Sequence, residues 1–191
     1  MTLAALVNVP ANLGYPLLGV LVGAEAAGAF VPGETSLIIA GALAAEGRLT
    51  LTIVIAVAAG AAIIGDNVGY QLGRRGLRQL LERRSRGRVR TARVFARGEA
   101  FFQRHGRAAV FFGRWLPGLR VLASWLAGAN RMPWRSFLFW NALGGISWAA
   151  TVGTAAYLLG RSASGSLFVV EAAGVTIAAA GYFLRRAREG R

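Results

Sequence analysis

Cysteine and lysine are both absent from this 191-residue chain, histidine occurs once, and acidic residues number only eight. Without cysteine there is no disulfide, no cysteine-held zinc and no thiol nucleophile. The single histidine, His105, stands in an arginine-rich stretch and reads as a solvated or interfacial residue. No nucleophile, base and orienting acid are grouped in the apolar segments, which argues against a membrane enzyme such as a lipid phosphatase. The opening residues, MTLAALVNVPANLGYPLLG, lack a basic n-region, which argues against a cleaved signal peptide. No cofactor or metal is called for.

What is present is apolar residue and arginine. The chain is 55% hydrophobic with a mean hydropathy of +0.49, the composition of a membrane-embedded protein. All 22 basic residues are arginine and the net charge is +14. Such a charge suits nucleic acid or lipid, and its distribution decides for lipid. Twelve arginines fall between Arg74 and Arg107 and four more between Arg185 and Arg191, flanking apolar runs as cytoplasmic loops do. The linker 74–107 therefore reads as an interfacial amphipathic segment that binds anionic lipid headgroups.

Two apolar runs are long enough to cross a bilayer: residues 49–72, uncharged up to Asp66, and 134–160, uncharged from 136 onward and carrying Trp134, Trp140 and Trp148. A third span is expected over 166–184, interrupted by Glu171, a candidate proton relay or a mark of a local water pocket. Residues 1–16 are uncharged but broken by Pro10, Asn12 and Pro16, and either span the membrane or lie along it.

Two further segments behave differently. Over 17–45 and 108–130, runs of about a dozen apolar residues flank Pro32-Gly33 and Pro117-Gly118. At 1.5 Å per residue each arm rises roughly 15–20 Å, about half of a 30 Å hydrocarbon core. A re-entrant hairpin is the expected form, with one long kinked helix over Leu17 to Ala45 as the alternative for the first segment. The two segments belong to a repeat. Gly28, Phe30, Val31, Pro32 and Gly33 match Gly113, Trp115, Leu116, Pro117 and Gly118; Ala40-Gly41 matches Ala127-Gly128; and Tyr70, Leu72, Gly73 and Arg74 match Tyr157, Leu159, Gly160 and Arg161. Each unit is a hairpin followed by one span, so the second begins on the opposite side of the membrane from the first. The expected fold is thus a single all-α membrane domain over 1–191, an inverted repeat of re-entrant hairpin plus transmembrane helix. With the linker and the tail 185–191 cytoplasmic, the hairpin tips meet near the midplane.

Charges fall where such a fold can least tolerate them singly. Glu25, Glu34 and Asp66 in the first repeat, and Arg114 and Arg120 in the second, lie in or beside apolar segments. One stranded charge costs about 2.5–3.5 kcal/mol at the membrane centre, and five would cost about 15 kcal/mol. That rivals the stability of a typical domain. The five must be hydrated, mutually paired or protonated in a polar interior, or else be static salt bridges at hairpin mouths. Two arginines flanking a Pro-Gly turn offer planar donor forks and, with Gly33 and Gly118, backbone N–H groups suited to phosphate oxygens. Carboxylates facing them are candidates for proton exchange that alternately holds and releases the arginines.

The stretches EAAGAFVPGE (25–34), GDNVGYQLGRRG (65–76), GRWLPGLR (113–120), AGANRMPWRSFLFWNALGGISW (127–148) and YLLG (157–160) resemble the bacterial DedA family, also called SNARE-associated or VTT-domain membrane proteins. The five motifs occur in the family's order and approximate spacing and cover nearly all of 25–160. Trp115, where phenylalanine is usual, is a conservative departure. The resemblance implies an inner-membrane protein with two opposed re-entrant hairpins. It also implies dependence on the proton-motive force and a role in moving lipids: undecaprenyl phosphate, or for some members a phospholipid such as phosphatidylethanolamine. By resemblance Glu25, Glu34 and Asp66 are the acidic functional positions, with Arg114 and Arg120 the basic ones.

Three non-enzymatic readings follow: a lipid-phosphate transporter, a proton-coupled carrier of small solutes or drugs sharing the same site, and a passive assembly factor. A homo-oligomer is compatible with each.

Overall fold

A computed structural model describes residues 11–77, 104–116 and 119–162. The expected span 166–184, the basic tail, most of the arginine linker, Glu171, Pro117 and Gly118 lie outside the described residues.

The described chain is helical. Helix α1 covers Ala11–Ala27, α2 Gly33–Ala45 and α3 Leu51–Leu72, the last continued by one π-helical turn over Gly73–Leu77. Residues 104–113 form α4, Leu119–Ala129 form α5 and Trp134–Arg161 form α6. Two helices, Leu51–Arg75 and Trp134–Arg161, are long and apolar enough to cross a membrane. At 1.5 Å per residue α3 alone rises about 33 Å, and its Ile53, Ile64 and Val68 are exposed, as are Phe139, Ile146 and Leu158 of α6. Large apolar side chains on outer faces suit lipid rather than water.

One boundary differs from the sequence expectation. The first arm does not begin after Pro16; α1 starts by Ala11 and carries Pro16 inside it. Proline removes one hydrogen bond, the one to the carbonyl four residues back. At the sixth residue of the helix that loss is confined to its first turns, and the arm becomes 17 residues rather than 13.

The chain then turns back rather than running on as a kinked helix. Helix α1 ends in a Schellman motif: Gly28 takes φ 111°, its N–H donates to Glu25 O, and the N–H of Ala29 donates to Ala24 O. Glycine suits this left-handed position because it carries no Cβ. At the far end of the pair, Tyr15 Oη accepts the N–H of Thr50 at 2.9 Å and Gly14 lies against Leu49. The start of α1 is therefore beside the end of α2, and the two helices are antiparallel. Helix α2 closes with the same motif at Gly47 (φ 75°), and α5 closes with it at Arg131 (φ 52°), a non-glycine in the same conformation.

Long helices α3 and α6 also run antiparallel, Gly145 lying against Ile63 and Gly153 against Ile55. Helix α2 packs on α6, and α5 packs on α3. Gly41 of α2 meets Gly153 O, Ala156 and the N–H of Tyr157 on α6, while Gly128 of α5 meets Tyr70 O and the N–H of Arg74 on α3. A Cβ at Gly41 would lie 2.8 Å from that of Ala156. Gly41 and Gly128, and Tyr157 and Tyr70, are matched positions of the sequence repeat, so the two seams are reciprocal.

Two cores follow from this packing. Leu18, Val22, Leu37, Ala40, Val54, Ala58, Trp148 and Ala149 join α1, α2, α3 and α6. Tyr70, Ala109, Val110, Leu126, Ala127 and Phe137 join α3 to α4, α5 and α6. In the second, Tyr70 stacks on Phe137 with centroids 4.6 Å apart and its hydroxyl donates to Met132 O at 2.6 Å. The seam between the cores holds the charges.

Candidate functional site

Glu25 sits three residues before the α1 turn, on the face toward the start of α2. Its Oε2 accepts the backbone N–H of Glu34 at 2.9 Å. Pro32, the residue before α2, makes no side-chain capping bond, so a carboxylate from the neighbouring helix satisfies one of the orphan N–H groups there. A negative group at a helix N-terminus also complements its dipole. Oε1 of the same carboxylate pairs with Arg120 Nη2. Arg120 comes from the first turn of α5, and its Nη1 reaches Glu34 Oε2 at 3.6 Å. One guanidinium of α5 thus faces both Glu25 and Glu34.

A second pair lies deeper. Asp66 on α3 and Arg114 at the end of α4 form an ion pair through Oδ2 and Nη1, their side chains 3% and 4% exposed. Arg114 Nη1 also donates to Asn141 Oδ1 at 2.7 Å, and Asn141 Nδ2 donates to Ile63 O at 3.4 Å. Trp148 stands beside both clusters: its ring centroid is 6.0 Å from Arg114 Cζ and 5.4 Å from Arg120 Cζ. Guanidiniums at this distance from an indole face gain cation–π attraction, more so where water is scarce.

All five charged residues singled out in the sequence are therefore brought into one region, as two linked ion-pair clusters. Access is graded. Glu34 is 36% exposed, Arg120 9%, and the Asp66–Arg114 pair is nearly sealed. Asp66 Oδ1, Arg114 Nε and Thr35 Oγ1 are buried without a hydrogen-bond partner. An unpaired buried donor or acceptor costs about 1–3 kcal/mol, so these atoms are poised for a further group such as water or a ligand oxygen.

Gly33 plays a different part from the one its turn suggested. Its N–H is not open but donates to Val31 O at 3.0 Å, and a Cβ there would strike Glu25 Oε2 and lie 2.9 Å from Leu21 O and Val22 Cα. Gly33 lets the start of α2 close on α1 and on the Glu25 carboxylate. Gly118 lies outside the described residues.

Asn141 was not singled out in the sequence, and Trp148 only as one of the tryptophans of its span. They lie seven residues apart, on one face of α6, and both are buried. The readable signal was Asn141 itself, an amide in an otherwise apolar run. Among the described residues no group of His, Asp and Glu forms a metal site.

Residues 31–158 match the sequence profile of the VTT domain. The chain is 36% identical over 160 residues to an uncharacterized membrane protein of Synechocystis, covering 84% of this chain and 73% of that one. It is 34% identical over 139 residues to the inner membrane protein YghB of Escherichia coli, covering 68% of this chain and 59% of the relative. To the protein DedA of the same bacterium it is 29% identical over 138 residues, covering 69% and 60%. No solved structure matches it significantly.

Proposed function

The chain belongs to the VTT-domain family of membrane proteins, and on that premise we propose that it is a proton-motive-force-dependent carrier of a lipid phosphate, such as undecaprenyl phosphate, across the inner membrane. The observation that carries the reading is the convergence of Arg114 and Arg120 on all three first-repeat carboxylates, inside an interior that is otherwise mostly apolar.

Charge balance supplies the mechanism. Three carboxylates against two guanidiniums leave one excess negative charge when all are ionised. A phosphate monoester brings about 1.5–2 more negative charges at pH 7. That anion is held only if protons enter with it and neutralise carboxylates, which frees the arginines to bind phosphate oxygens through their planar forks. Arg120, between Glu25 and Glu34 at the open end, takes the headgroup first; Arg114, with its unpartnered Nε, takes it next. Deprotonation of Glu25, Glu34 and Asp66 on the other side restores the ion pairs and expels the anion. The lipid tail stays in the bilayer throughout.

In this reading the two hairpins are re-entrant and enter from opposite faces. The antiparallel α3 and α6 and the reciprocal seams at Gly41 and Gly128 support such an inverted arrangement. The arginine linker and the C-terminus lie on the cytoplasmic side, against anionic headgroups. The protein is a carrier rather than a catalyst.

The test is reconstitution of the purified chain with labelled undecaprenyl phosphate or labelled phosphatidylethanolamine, following headgroup accessibility with and without a pH gradient. Gradient-dependent movement of the phosphate lipid is expected. Movement of a soluble cation without headgroup movement would replace the reading with a small-solute carrier.

A further inference from the structure

Arg114 is held at one corner by two partners of different kinds. Its Nη1 faces Asp66, which carries a titratable charge, and Asn141, which does not. The orientation of the Asn141 amide is forced. Its Nδ2 lies against the Ile63 carbonyl, which can only accept, so the oxygen must point to the guanidinium. The same carbonyl accepts Asn67 Nδ2 at 2.8 Å, and Asn67 Oδ1 accepts the indole N–H of Trp134 at 2.9 Å. The acceptor for Arg114 is thus fixed by a polar chain running through α3 to the first residue of α6. Nε of Arg114 is left without a partner.

We infer that Asn141 is a positioning residue for Arg114: a charge-independent acceptor that keeps the guanidinium seated, with Nε free for a phosphate oxygen, while Asp66 changes charge. This rests on the carrier reading above. A carboxylate alone would not serve, because neutralising Asp66 would remove the main partner of a buried cation at the moment the substrate anion needs it in place. Leucine at 141 would fill the volume and leave Asp66 as the partner at this corner. Aspartate at 141 would place an anion against the Ile63 carbonyl, except when protonated, where its O–H and C=O reproduce the amide.

The experiment uses the full chain in lipid nanodiscs and two readouts. The first is the Nε–Hε resonance of Arg114 by 15N NMR, assigned through its loss in Arg114→Lys. The second is affinity for farnesyl phosphate. In wild type the Arg114 resonance should be sharp; in Asn141→Leu it should broaden or vanish, and affinity should fall about 10- to 100-fold, the worth of one hydrogen bond to a charged group. In an Arg114→Lys background Asn141→Leu should have no further effect on affinity. Asn141→Asp, which keeps the shape, should bind weakly at neutral pH and recover on acidification more than wild type improves. The groups facing the new carboxylate are Arg114 and Asp66, with Arg120, Glu25 and Glu34 beyond Trp148. An unchanged Arg114 resonance in Asn141→Leu, or an additive loss in the Arg114→Lys background, would overturn the inference. Should Asn141→Leu not fold, the Asn141→Asp pH profile decides, and a profile parallel to wild type overturns it. If wild type binds no farnesyl phosphate, the carrier reading fails, while the resonance still decides whether Asn141 seats Arg114.

Discussion

The Glu25 carboxylate reaches across the first hairpin to accept the backbone N–H of Glu34 at 2.9 Å, while its other oxygen pairs with Arg120. One side chain therefore caps a helix, closes a turn and ties the two repeats together.

These tasks separate by substitution. Glu25→Gln keeps an acceptor for the Glu34 N–H and should retain most of the thermal stability of the purified protein. Glu25→Ala removes the cap and should lose about 0.5–2 kcal/mol. Equal melting temperatures for the two variants would show that the cap contributes nothing.

Arg131 offers a stabilising change. It occupies the left-handed position that closes α5, where a residue with a Cβ is disfavoured by about 1–2 kcal/mol. Arg131→Gly should raise stability by about 1 kcal/mol without altering transport. A drop in melting temperature would mean that the exposed guanidinium makes a compensating contact.

The five charges were legible because an ion in an apolar run is too costly to be idle, and the Pro32-Gly33 break was legible as the end of a turn. Their pairing was not, since nothing in sequence spacing says which acid meets which arginine. Glu25 looked equivalent to Glu34, and only the antiparallel closure of α1 on α2 makes it a cap. The roles of Asn141 and Trp148 stayed hidden because α6 is uncharged between its two ends, and its buried face is defined only by the helices packed on it. Pro16 misled for a local reason: a proline near a helix start forfeits one bond and does not end the helix.

Arg120→Lys should reduce transport at least tenfold despite keeping the charge, because an ammonium group cannot reproduce a planar fork on two carboxylates or a phosphate. Arg135→Lys, at an exposed position of α6, should transport like wild type. Equal loss at both sites would make Arg120 one more interfacial arginine.

Sidedness is open to labelling, since the chain has no cysteine of its own. Single cysteines introduced at Glu46 and Ser164 should react with an impermeant thiol reagent from outside, and those at Ser85 and Glu189 should not. Outside labelling at Ser85 would remove the inverted arrangement of the repeats.

Proton coupling is the centre of the account, and Glu34 and Asp66 are the acids that bracket the site, one at its open end and one at its sealed end. The amides of Glu34→Gln and Asp66→Asn are nearly isosteric with the acids and cheaper to bury than ions, so the double variant should insert and fold. The decisive measurement takes phosphate-lipid binding and gradient-driven headgroup movement on the same proteoliposomes, for wild type and the double variant. Binding that survives or tightens, together with loss of pH-driven movement, is the predicted result; full pH-dependent movement in the double variant would contradict it.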